Sequence, residues 1–83
     1  MVISKDVFDL ALERLRRKAN GWILLKDRSV MVFIHGQKSP SEGMPGWEIV
    51  AYVDIFEDDE KAQIQLEDPY ILRDGAIYLK ESS

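Results

Sequence analysis

The chain has no cysteine and a single histidine, His35. The first absence excludes disulfides, thiolate zinc sites and a cysteine nucleophile together, and it fits a reducing compartment. The second leaves carboxylates as almost the whole supply of metal ligands and removes most routes to proton transfer near neutral pH. Long hydrophobic runs are missing too: none approaches the roughly 18 residues a membrane span requires. The opening segment, MVISKDVFDLALERL, sets acids among its apolar residues, so a secretory signal is not expected. These absences lead to the expectation of a soluble, cytoplasmic domain with no membrane partner.

What is present suits one small core. The 83 residues are 46% hydrophobic and 10% aromatic, enough to fold without disorder, and they are read as a single domain over 1–83. A chain of this length buries about 60–65% of the surface its unfolded form exposes. There is no internal repeat and no low-complexity tract.

The periodicity predicts a helix over about 4–19. Phe8, Leu12, Leu15 and Ala19 recur on one face with Ala11 beside them, and Ser4 is a suitable N-cap. Asp6 and Asp9 sit near the first turn, and Arg14, Arg16, Arg17 and Lys18 crowd the last, as the helix dipole favours. Asn20-Gly21 is expected to supply the left-handed residue that closes it.

After Gly21 the period falls to two. Strands are expected at about 22–26, 30–35, 47–56, 61–66, 70–73 and 76–80. The first two flank Asp27-Arg28-Ser29 as a hairpin, and the last two flank Asp74-Gly75, the strongest hairpin signal present. In 30–35 both faces are apolar, so cover is expected on both sides. In 47–56, strict alternation puts Trp47, Ile49, Ala51, Val53 and Ile55 on one face, with Glu48, Tyr52 and Asp54 on the other. The fold class is therefore α+β: an N-terminal amphipathic helix, then a strongly bent antiparallel sheet or small open barrel of about five to six strands. Helix-first order and the segment EIVAYVDIFEDDEKAQIQL resemble an Sm-like chain in outline, without any residue-specific family motif.

HGQKSPSEGMPGW, residues 35–47, is the longest stretch without apolar periodicity. Its glycine spacing is not that of a phosphate loop. It reads as a connector or a binding loop, with Lys38, Ser39, Glu42 and Met44 as the residues that would touch a partner. His35 has no adjacent nucleophile, and catalysis through it is a minor alternative. Asp54 and Glu57 to Glu60 evoke a calcium loop, but positions six and twelve counted from Asp54 hold Asp59 and Gln65 in place of the required glycine and glutamate. A solvated acidic turn is the simpler reading. No cofactor, metal or catalytic residue is assigned.

The charges divide unevenly. Residues 1–41 carry eight basic and four acidic side chains, +4, whereas 42–83 carry three basic and eleven acidic, −8. Such a field steers encounters. The expectation is a non-enzymatic protein–protein interaction module, accessory, regulatory or inhibitory. It would use an acidic sheet-turn surface (Glu57, Asp58, Asp59, Glu60, Glu67, Asp68) and exposed strand edges. Its partner would be a protein with a basic surface, or a second copy in a homodimer. The alternative is a nucleic-acid-binding small barrel of the Sm or SH3 kind, in which Arg14, Arg16, Arg17, Lys18 and Arg28 neutralise phosphates while Trp22 or Phe33 stacks bases. In the first reading Trp22 packs against the core.

Overall fold

A computed structural model describes residues 1–17, 20–36, 40, 44–56 and 61–81. Helix α1 runs Lys5–Arg16. Ser4 is extended at φ −70°, ψ 160°, and its hydroxyl accepts from the Val7 N–H at 3.4 Å, satisfying one donor of the first turn. Phe8, Ala11 and Leu15 are its buried residues, the i, i+3, i+7 stripe of one face, with Leu12 half-buried beside them. The C-cap is Arg17, in right-handed conformation; Lys18 and Ala19, assigned to the helix from sequence, lie outside the described residues.

Asn20 and Gly21 do not close the helix with a left-handed turn. They open strand β1, Asn20–Lys26. Gly21 pairs with Ile34 on one side and Val53 on the other, directly beneath the helix. A Cβ built there would stand 2.8 Å from Leu15 Cδ2 and would also collide with the Phe33 carbonyl. The glycine is needed for close helix–strand approach.

Strand β2 is Ser29–Ile34, β3 Glu48–Ile55, β4 Ala62–Leu66, β5 Tyr70–Arg73 and β6 Ala76–Leu79. A two-residue turn, Asp27-Arg28, joins β1 to β2, with Asp27 at φ 56°. Asp74 and Gly75, at φ 52° and 78°, form the β5–β6 turn, where both central residues take the positive φ a type I′ hairpin demands. Between β4 and β5 the Asp68-Pro69 peptide is cis, and the Tyr70 N–H donates to the Glu67 carbonyl at 2.8 Å.

Every pairing is antiparallel. The larger sheet has the order β2-β1-β3-β4, and β5-β6 form a second, two-stranded sheet. The N-terminal residues add to that second sheet: the Ile3 and Ile77 main chains exchange hydrogen bonds at 2.9 and 3.1 Å. The α+β assignment holds, with one helix packed across β1, β2, β3 and β6.

The topology explains the long 35–47 segment. Both β2 and β3 are antiparallel to β1, so they run the same way on its two sides. Strand β2 ends at Ile34, opposite Gly21, and β3 begins at Glu48, opposite Leu25. The chain must therefore return about 13 Å along β1 and cross about 10 Å of sheet, which no two-residue hairpin loop can span. Its far end is seated by Lys26, whose ammonium lies 6.0 Å from the Trp47 ring.

The pleat sorts the sheet into two faces, and both hold buried residues: Leu24, on the face away from α1, is fully buried. Ile23, Ala51 and Val53 face α1 and join Ile3, Phe8, Leu15, Tyr70 and Ile77 in the core, with Val30, Val32, Ile64 and Leu66 packed at its margin. Strict alternation fails in β3, because pairing slips between Ile23–Ala51 and Leu24–Ile49, leaving Val50 as a bulge residue. The bulge reverses the phase upstream. Glu48 is carried to the helix side of the sheet, and Ile49 joins Tyr52 on the other.

Candidate functional site

Two surfaces of the larger sheet are built well enough to be read as sites. The first is the face turned away from α1. Trp22 lies there and not in the helix-side core, because it alternates with Gly21 and Ile23. Its ring centroid is 6.1 Å from Phe33, 5.5 Å from His35 and 5.3 Å from Tyr52, and His35 is 6.2 Å from Tyr52. Asn20 Nδ2 donates to the Tyr52 hydroxyl at 2.9 Å. Register places Phe33, Trp22, Tyr52 and Gln65 in one row across all four strands. These rings are tilted or edge-on against each other, so they pack on one another across this part of the face.

The second surface is the edge of β2 and the groove between that strand and α1. Among the described residues, strand β2 pairs only with β1. The His35 N–H donates to the Asn20 carbonyl at 2.9 Å, which fixes the phase of the ladder. Ser29, Met31 and Phe33 thus direct their main-chain groups toward β1, and Val30, Val32 and Ile34 direct theirs outward. The same three residues turn their side chains toward the helix. Val7, Leu10, Ala11 and Arg14 face Val30 and Val32 across one half of the groove. Arg14 and Arg17 face Val32 and Ile34 across the other. Leu10 is 65% exposed and Val7 40% exposed, so the apolar stripe of the helix continues past the core to this open side.

Strand β2 lacks, in its own sequence and pairing, the protections common on a free edge. SVMVFI contains no proline, no lysine and no charge, and the strand has no bulge against β1. At the opposite edge, β4 puts Gln63 and Gln65 between its apolar residues.

The site residues expected from sequence are scattered. Arg14 and Arg17 line the groove, and Arg16 is exposed on the same last turn. Arg28 is exposed in the β1–β2 turn, six residues from the Ile34 end of β2 where Arg17 lies, about 20 Å by strand rise. Met44 is half-buried, and its carbonyl accepts from the Trp47 N–H at 3.2 Å. Glu67 and Asp68 are exposed in the β4–β5 turn. Lys18, Lys38, Ser39, Glu42, Glu57, Asp58, Asp59 and Glu60 lie outside the described residues. His35 is exposed, with Trp22 and Tyr52 as its ring neighbours. Among the described residues no three His, Cys, Asp or Glu side chains are arranged to hold a metal, and no helix is long and apolar enough to cross a membrane.

Sequence reasoning named exposed strand edges but not which strand. The missed signal is the pairing of VMVFI with the helix stripe Val7, Leu10, Arg14, Arg17, legible only once β2 is known to be terminal. No family model matches the chain, and neither a curated protein nor a solved structure does.

Proposed function

We propose that the protein is a non-enzymatic interaction module that accepts an extended protein segment along the β2 edge. One observation carries the reading: the outward main-chain groups and the groove-lining side chains belong to the same residues, Val30, Val32 and Ile34. An added strand gains hydrogen bonds from the first and apolar contact from the second, which is the physics of strand addition. Arg14 and Arg17 favour acidic side chains on the segment near the Ile34 end. At this site the charge preference is the reverse of that expected for the acidic turns, of which Glu67 and Asp68 remain available to a basic surface.

The nucleic-acid alternative rests on stacking and phosphate neutralisation acting together. The aromatic row lies on one side of the sheet and Arg14 and Arg17 on the other, so one strand of nucleic acid cannot use both. An overall charge of −4 opposes it further.

The test is selection of peptides from a random display library on the immobilised protein. Enriched sequences should alternate apolar residues with an acidic residue toward one end, and Leu10→Lys, at an exposed position of the groove, should abolish their binding while far-UV circular dichroism is unchanged. Absence of enrichment, or binding indifferent to Leu10→Lys, would overturn the reading.

A further inference from the structure

We infer that the segment accepted at the β2 edge is the β2 strand of a second copy, giving a two-fold dimer with one continuous eight-stranded sheet. The inference rests on the edge-addition reading and specifies its occupant.

The first argument is register. An axis through Val32 sets Val32 against its own copy and Val30 against Ile34 of the partner. In an antiparallel ladder, directly opposed residues either exchange both hydrogen bonds or none. Val30, Val32 and Ile34 all direct their groups outward, so each of the three opposed pairs falls in the bonded class. The edge is thus complementary to itself, as an isologous interface requires.

The second argument is charge. Along the groove Val7 and Leu10 accompany Val30, and Arg17 accompanies Ile34. The two-fold therefore lays the helices side by side and antiparallel. The first turn of α1 contains Lys5, ion-paired to Asp9 at 2.9 Å, and Asp6, while its last turn contains Arg14 and Arg16, with Arg17 as the cap. Each basic helix end then lies beside the partner's Asp6, and the helix dipoles oppose favourably. Leu10 and Val7 of each copy close over the other's groove, covering apolar surface that stays open in one chain.

Because such a two-fold interface consumes both free β2 edges, the assembly stops at two chains. A head-to-tail use of the same groove would grow without limit.

Sedimentation equilibrium of the full chain, from micromolar to millimolar concentration, tests this. A monomer–dimer equilibrium with no larger species is expected. Asp6→Arg alters an exposed residue outside the core and should raise the dimer dissociation constant about fivefold; Arg17→Asp should do the same, and the double reversal should restore it. Since the chain has no cysteine, a spin label at Ser29→Cys reports register directly. The two labels should lie about 20 Å apart, six residues along the joined strands. A monomer throughout, a dimer blind to both charge reversals, or labels at another distance would overturn the inference. If the chain stays monomeric yet binds selected peptides at β2, edge addition survives and only the second copy is rejected. If neither occurs, both fail.

Discussion

The Tyr70 hydroxyl donates to Glu48 Oε2 at 2.5 Å, joining the start of β5 to the start of β3 across 22 residues of chain. Glu48 reaches that position only because the Val50 bulge turns it to the helix side. Burial raises the Tyr70 pKa first, and the hydrogen bond and negative charge of Glu48 add to it, pushing it up to about 12. The sign follows from linkage. The unfolded chain loses this proton near the ordinary tyrosine value of 10, the folded chain later, so the contribution is complete below pH 10 and disappears as pH rises toward 12. Between pH 9 and pH 11.5 a shift in this direction accounts for about 1–2 kcal/mol. Urea unfolding at those two pH values should show the native chain losing that much more stability than Tyr70→Phe. Equal losses would mean that the phenol is not held in this way.

Gly21 is expected to tolerate no side chain. Gly21→Ala places a methyl against Leu15 and against the Phe33 carbonyl, and that carbonyl is fixed in the β1–β2 ladder. Destabilisation of about 1–3 kcal/mol should follow, as for other overpacked sites. Trimming the neighbour should relieve part of it: in the background Leu15→Val, the added cost of Gly21→Ala should be smaller. Strict additivity in chemical denaturation would place the strain elsewhere.

Ser4→Ala removes the one side-chain cap of α1. The cap bond is long, 3.4 Å, so the loss should fall near the lower part of the usual range, about 0.5–1 kcal/mol. Ser4→Asp should retain the cap and add a favourable charge at the helix start. Thermal unfolding of the three proteins should rank alanine lowest.

The aromatic face gives a prediction that separates packing from stacking. If Trp22, Phe33, His35 and Tyr52 serve mainly to cover the sheet, short single-stranded RNA or DNA at low salt should leave tryptophan fluorescence unchanged. Trp22→Ala should destabilise the protein by about 3 kcal/mol, the lower end for loss of a large aromatic, because Trp22 is only half-buried. Quenching that weakens steeply as salt is raised would revive the nucleic-acid alternative.

Local rules read most of the elements correctly. Phe8, Ala11 and Leu15 gave the helix face, Ser4 its start, and Asp74-Gly75 a turn whose two positive φ angles the residue types demand. What escaped is set by events distant in sequence. Alternation says which residues share a face but not which strands are neighbours, so the placement of β1 between β2 and β3 had no local signature. A bulge such as Val50 looks like any other valine and silently inverts the phase before it, so alternation alone puts Glu48 on the wrong side. Gly21 follows a basic helix end and so imitates a cap, while its real constraint comes from Leu15 and Phe33 together. The β2 edge was visible as VMVFI, but its exposure is a property of sheet order.

The position of β1 has a kinetic consequence. Its hairpin with β2 closes a two-residue turn, whereas its pairing with β3 joins partners 23 to 34 positions apart, Leu25 with Glu48 and Asn20 with Asp54. Closing that span must precede any gain from it, so the β1–β3 seam is expected to form late and to limit the speed of folding. Loop-closure entropy grows only logarithmically, so inserting glycine–serine repeats into the span should slow refolding mildly, about 0.6 kcal/mol of barrier for each doubling of the loop.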